Sequence, residues 1–267
     1  MFGSIIGDIV GSTFEAQNHR SIYFEMFRSD ARFTDDTVCT AAVADILQKY
    51  KIEELTNDNI SNELRLWCCS HINRGYGSMF HQWIINGANK PYNSYGNGAL
   101  MRVSPVALFA KKNHLSLSEV LEIGKRVTSV THNHPQALLA VDIYLTLLHH
   151  FLHNKVESDE AKKFIKSILA KNSYKEPLSV EKYLNTIEFD LTSETSLLVA
   201  ISAIYEADNF EGAIRNVISI GGDSDTYAAI AGALSEAIWG CEEFIPEINK
   251  YFRDYDKPIL AVIKSLY

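Results

Sequence analysis

An all-α fold is predicted for this chain on three observations. Apolar residues recur at helical spacing in five separate segments. No segment shows a convincing strand alternation, and turn signals of the hairpin type are missing between the apolar runs. In chain order, Phe2, Ile5, Ile6, Ile9 and Val10 open the series at i, i+3, i+4, i+7, i+8, the pattern of one buried stripe. Cys39, Ala42, Val43, Ile46 and Leu47 repeat it. Ser116 with Glu119 forms a capping box ahead of Val120, Ile123 and Val127, which places a further helix there. Leu138, Val141, Leu145, Leu148 and Leu152 lie on a helix that is apolar nearly all round and is therefore expected at the centre. The lysine-rich stretch from Lys155 to Lys182 reads as exposed helix and loop. Leu197, Ala200, Ile201, Ile204 and Tyr205, then Ile230, Ala233, Leu234, Ala237 and Ile238, complete the set.

The 267 residues suffice for one substantial core, and no linker, repeat or low-complexity tract divides them, so one domain over residues 1–267 is expected. With 46% hydrophobic and 22% charged residues the composition is that of a soluble globular protein. The formal net charge of −8 argues against non-specific binding to nucleic acid, which needs a basic surface. An anionic ligand would therefore need local help. No Lys or Arg precedes the first apolar stretch and Asp8 interrupts it, which does not match a signal peptide. The most apolar segment, Pro135 to Leu152, is broken by Asp142, Thr146 and two His residues, so no membrane span is expected. Four cysteines without CxxC spacing fit a reducing compartment; a cytoplasmic monomer is the expectation.

Two acidic clusters carry the chemical signal. Thr34-Asp35-Asp36-Thr37 stands just before the Cys39 stripe, and Gly221-Gly222-Asp223-Ser224-Asp225-Thr226 just before the Ile230 stripe. Capping of a helix start explains one such side chain, whereas each cluster has two carboxylates and hydroxyls besides. If the two helix starts converge, like charges meet at a cost of about 4 kcal/mol per pair at 4 Å and an effective dielectric of 20. Hard divalent cations such as Mg²⁺ or Mn²⁺ would cancel it. Gly3, Gly7 and Gly11 at i, i+4, i+8 read as close helix packing, most firmly at the first two. Glu15 just beyond them is equally an ordinary surface acid or a ligand or proton carrier. The loop from Ser94 to Arg102 contains a GxG that permits close backbone approach to a ligand, a weak signal taken alone. In THNHP, capping and a first-turn proline explain most of the sequence; His132 would be a contact for an anion if the site lies nearby, and His134 has no ligand-like pairing.

Taken together the motifs GDIVGSTFE, FTDDT, NRGYG, NSYGNGALMR, THNHP and IGGDSDTYAAIAGA, in this order over nearly the whole length, resemble the ADP-ribosylglycohydrolase family. The resemblance implies a compact orthogonal helical domain with a two-metal centre, usually two Mg²⁺ and in some members Mn²⁺. It implies Thr34, Asp35 and Asp36 as one ligand group and Asp223, Asp225 and Thr226 as the other. Glu15 matches a mobile acid that gates the site, and Glu15 or Asp36 would handle the proton. Gly75, Ser94, Tyr95, Gly96 and Asn97 match positions that hold the diphosphate and distal ribose, and His132 matches a substrate-contacting histidine. Backbone N–H groups of the Gly75 and Ser94 to Gly98 loops would neutralise the diphosphate. The implied reaction is hydrolysis of the glycosidic bond between the distal ribose of ADP-ribose and an acceptor, on a modified protein or a small molecule. Residues 188–196, EFDLTSETS, depart from the glycine-containing loop of many relatives, which bears on the lid and the leaving-group pocket. A two-metal nucleotide phosphohydrolase and a non-catalytic ADP-ribose-binding or structural protein of the same fold are the competing readings.

Overall fold

The computed structural model describes residues 1–15, 17–87, 89–186 and 189–267. Its α-helices run in the order α1 (Phe2–Gly11), α2 (Asp35–Lys49), α3 (Asn57–Ser70), α4 (Ser78–Asn86), α5 (Ser104–Lys112), α6 (Leu117–Ser129) and α7 (Pro135–His153). They continue as α8 (Ser158–Lys171), α9 (Val180–Thr186), α10 (Ser193–Tyr205), α11 (Phe210–Ile220), α12 (Ser224–Trp239), α13 (Ile245–Ile248) and α14 (Lys257–Lys264). Among the described residues the only β pairing is an isolated antiparallel bridge between Gly96 and Thr192. The all-α expectation is met.

One continuous hydrophobic core joins these helices, and α1 lies inside it with all ten residues buried. Its glycines explain how. A Cβ added at Gly3 would stand 2.2 Å from the Gly232 carbonyl oxygen, at Gly7 2.0 Å from that of Ala228, and at Gly11 2.4 Å from that of Ser224. The two backbones therefore touch along α1 and α12, glycine against small residue at matching four-residue steps. Each predicted stripe falls within a helix. The capping box forms as read, with Ser116 N–H donating to Glu119 Oε2 at 2.8 Å. Helix α7 is less uniform than its sequence suggests: Val141, Leu145 and Leu148 are buried, whereas Leu138 and Leu152 are half-buried. The lysine-rich stretch folds as α8 and α9, and α8 buries only Ala161, Ile165 and Leu169.

Candidate metal centre and active-site cavity

The close packing of α1 on α12 fixes the geometry of the site, because it brings the C-terminal end of α1 beside the start of α12. Asp8, on the last turns of α1, is fully buried. Its carboxylate accepts from the backbone N–H of Thr34 (2.9 Å) and of Thr37 (3.1 Å), from the Thr34 hydroxyl (2.6 Å) and from the Thr37 hydroxyl. Asp8 thus satisfies amide donors that the start of α2 leaves free. Thr34 makes no side-chain cap of its own, nor does Asp223 at the start of α12. Capping does not account for either acidic cluster.

The two helix starts converge. Asp36 Oδ2 lies 3.3 Å from Thr34 Oγ1, whose proton goes to Asp8, and accepts across the site from Thr226 Oγ1 at 3.2 Å. Asp223 Oδ2 accepts from Asn97 Nδ2 at 2.5 Å. Carboxylate oxygens of Asp8, Asp36 and Asp225 lie within 4.8 Å of one another, and so do those of Glu15, Asp223 and Asp225. Asp225 is common to both groups. Asp36 Oδ1 is buried without a hydrogen-bond partner. Asp35 lines the same cavity beside Gly75, with its N–H on the Arg74 carbonyl at 2.9 Å, but belongs to neither group. Burial raises the Asp36 carboxyl well above its ordinary value, and the charges of Asp8, Asp35 and Asp223 add to it. Asp225 is raised well above by burial and then by Asp223 and Asp36, and Asp35 by burial and then by Asp8 and Asp223. Asp8 rises less, because its donors offset its burial. An orphaned carboxylate oxygen inside two converging acidic triads is a donor set that fits hard divalent cations.

Beside the carboxylates opens a cavity of about 380 Å³. Glu15, Thr34, Asp35, Gly75, Ser94, Gly96, Asn97, His132, Asp223, Asp225 and Thr226 line it, which gathers most of the residues that the motifs singled out. Tyr95 does not join them: it is half-exposed in an adjoining groove with Met79, Tyr183, Phe189 and Leu191. Gly75 holds φ +100°, and Gly221 and Gly222 hold φ +78° and +76°, the left-handed region that admits glycine without strain. Two of the loop amides are taken within the protein. Gly96 N–H is taken by Ser94 Oγ (3.2 Å) and Asn97 N–H by the Leu191 carbonyl (2.7 Å). Arg32, Arg74 and Arg102 add positive charge to the cavity wall.

The segment after α9 is strapped to this loop. Ser193 N–H donates to the Tyr95 carbonyl (2.9 Å), Ser193 Oγ to the Gly96 carbonyl (2.6 Å), and Tyr227 OH to the Asp190 carbonyl (2.5 Å). Phe189 and Leu191, from the departing stretch 188–196, thereby border both the cavity and the groove; Glu188 lies outside the described residues. His134 is structural, its Nδ1 accepting from Gln136 N–H at 3.1 Å to start α7. Asp8, the three arginines and Phe189 escaped the sequence reading. Asp8 carried a signal, since an acid among isoleucines on a buried helix must find partners inside.

The family model for ADP-ribosylglycohydrolases matches residues 1–262. ADP-ribosylarginine hydrolase Tri1 of Pseudomonas putida (strain GB-1) is 26% identical over 92% of this chain and 71% of its own length. The ADP-ribosyl-[dinitrogen reductase] glycohydrolase of Rhodospirillum rubrum is 23% identical over 90% of this chain and 84% of its own, and ADP-ribosylhydrolase ARH3 of Xenopus tropicalis 24% over 92% and 87%. A solved ADP-ribosylglycohydrolase-related protein superposes with a TM-score of 0.74 at 21% identity, covering 100% of this chain and 94% of its own. With the fold, the order of its motifs and the family match in agreement over nearly its whole length, this chain belongs to the ADP-ribosylglycohydrolase family.

Proposed function

We propose that the protein hydrolyses the glycosidic bond between the distal ribose of an ADP-ribosyl group and its acceptor, in a reaction that depends on divalent metal. The observation that carries this is the convergence of the α2 and α12 starts, which puts six carboxylates on or beside one wall of a cavity whose other walls hold arginines. Asp35 and Asp36 with Thr34 on one side, and Asp223 and Asp225 with Thr226 on the other, would hold two ions such as Mg²⁺ or Mn²⁺, while Asp8, whose carboxylate is filled by four donors, holds the start of α2 beneath them. When bound, the ions supply charge neutralisation and Lewis-acid polarisation of ribose and water oxygens.

The residues of the chain then divide the work. Arg32 and Arg74 draw an anionic diphosphate into an acidic protein. The groove with Tyr95, Phe189, Tyr183 and Met79 provides apolar and aromatic faces for a purine. Asn97, held on Asp223, ties the substrate loop to the acidic wall. Glu15 handles the proton on water or leaving group as the bond breaks through an oxocarbenium-like state. Glu15 is partly exposed at the cavity, whereas Asp36 is buried against Thr34 and Thr226. Hydrolysis of arginine-linked, serine-linked and O-acetyl ADP-ribose substrates with Mg²⁺, followed by mass spectrometry, tests the reading. Free ADP-ribose released only without EDTA, and lost in Asp223→Asn, supports it. Inorganic phosphate as the product would favour a phosphohydrolase, and ADP-ribose binding without turnover would favour a non-catalytic binder.

A further inference from the structure

Arg102 closes the NSYGNGALMR motif and is fully buried, yet no ion pair holds it among the described residues, and its Nε and Nη1 have no hydrogen-bond partner. Its Nη2 donates to Thr131 Oγ1 at 2.6 Å and, more weakly, to the Thr128 carbonyl at 3.4 Å. Thr131 Oγ1 in turn lies 2.8 Å from His132 Nδ1. The far side of that ring faces the substrate loop: a Cβ added at Gly98 would stand 3.1 Å from Nε2, and one at Gly96 3.7 Å.

The order of these contacts determines where the protons are. A guanidinium has donors and no acceptor, so the Arg102 contact fills a lone pair of the Thr131 hydroxyl. That hydroxyl keeps a single proton, and His132 Nδ1 is the acceptor within its reach. Were Nδ1 protonated, the Thr131 proton would be buried without an acceptor, a cost of about 1–3 kcal/mol. We propose that Arg102 and Thr131 are positioning residues that fix His132 in the tautomer with its proton on Nε2, so that the ring meets the substrate as an N–H donor. Burial, with the Arg102 charge adding to it, lowers His132 well below its ordinary value and keeps the ring neutral. In this state Nε2 has no lone pair. His132 then serves neither as the base of the reaction nor as a metal ligand, and its task is to donate to a substrate oxygen at the Gly96–Gly98 turn.

The role toward substrate rests on the glycohydrolase reading above, whereas the tautomer does not, and the experiment separates them. Two-bond ¹H–¹⁵N correlation spectra of histidine-labelled protein, with His132 assigned by loss of its signal in His132→Gln, are expected to show Nε2–H in the wild type and in Thr131→Ser. Thr131→Val and Arg102→Met are expected to shift the ring toward Nδ1–H or a mixture. For a hydrolysed ADP-ribosyl substrate, Thr131→Val raises KM about tenfold with kcat within twofold, and Thr131→Ser restores it. An Nδ1–H signal in the wild type, or a Thr131→Val ring identical to the wild type, overturns the proposal; if Arg102→Met does not fold, the Thr131 pair decides. A wild type that hydrolyses no substrate yet shows Nε2–H contradicts the proposed function and upholds the tautomer.

Discussion

Asp36→Asn is expected to stabilise the metal-free protein while abolishing catalysis. The side chain sits within 4.8 Å of the Asp8 and Asp225 carboxylate oxygens. At that separation a like-charged pair repels by about 3.5 kcal/mol at an effective dielectric of about 20, and Asp36 takes part in two such pairs. Its Oδ1 is buried without a donor. Asparagine keeps the shape and the acceptor for Thr226, and places an N–H₂ where that bare oxygen meets the other acids. The wild type recovers part of the cost by taking up a proton, so a net gain of about 2–4 kcal/mol is expected for the variant in EDTA at pH 7.5. The pH dependence follows. A carboxyl raised above its unfolded value near ~4 binds its proton more tightly in the folded state, so the metal-free wild type loses stability as pH climbs from that value through the raised one. The gap between variant and wild type should therefore narrow at pH 5. Urea unfolding with EDTA and with Mg²⁺ measures it. The wild type should gain about 2.7 kcal/mol at a hundredfold excess of Mg²⁺ over its Kd, and the variant much less. A variant less stable than wild type in EDTA, or one stabilised equally by Mg²⁺, would refute the reasoning.

The opposite sign is expected at Asp8, where both oxygens are engaged by four donors at the start of α2. Asp8→Asn should lose about 1–3 kcal/mol in EDTA, read by the same urea titration, with activity falling alongside. Gly7→Ala forces a Cβ to within 2.0 Å of the Ala228 carbonyl oxygen; a loss of about 3 kcal/mol or more is expected, with weaker Mg²⁺ binding by calorimetry as α1 is pushed from α12. Phe189→Ala should raise KM for an ADP-ribosyl substrate about tenfold with kcat little changed, since an aromatic face is worth about 1–3 kcal/mol to a stacked base. Glu15→Gln should lower kcat by about a hundredfold or more and change KM little, as steady-state kinetics will show.

The helices were legible because apolar residues recur at helical spacing over Phe2–Val10, Cys39–Leu47, Leu197–Tyr205 and Ile230–Ile238, within α1, α2, α10 and α12, although these helices are buried nearly all round. Helix α11 has the same period at Phe210, Ala213, Ile214, Val217 and Ile218 and is amphipathic, so it was within reach of the same reading. Helix α3 was harder, since it buries Ile60 and Leu64 but also Ser61 and Glu63, and polar residues in a core blur the stripe. In the site, the acidic clusters stood out as more charge than capping needs. Their convergence did not, because it is set by the contact of Gly3, Gly7 and Gly11 with a helix more than two hundred residues away. A shorter separation, 26 to 29 residues, is still enough to hide Asp8 from its partners at Thr34 and Thr37, and Arg102 from Thr131. Each is a charge whose meaning lies in the donor or acceptor opposite it, and local patterning carries no record of which remote group that is. What local sequence does record is the anomaly: an acid inside an isoleucine stripe, or an arginine between the apolar stretches of GALM and the α5 start. Such residues mark where a remote partner must exist, because a lone charge cannot be buried cheaply. Here both anomalies lead to the same cavity, Asp8 by holding the α2 start in place beside the acidic cluster and Arg102 through its hydrogen bond to Thr131, next to the His132 ring that faces the turn at Gly96 and Gly98.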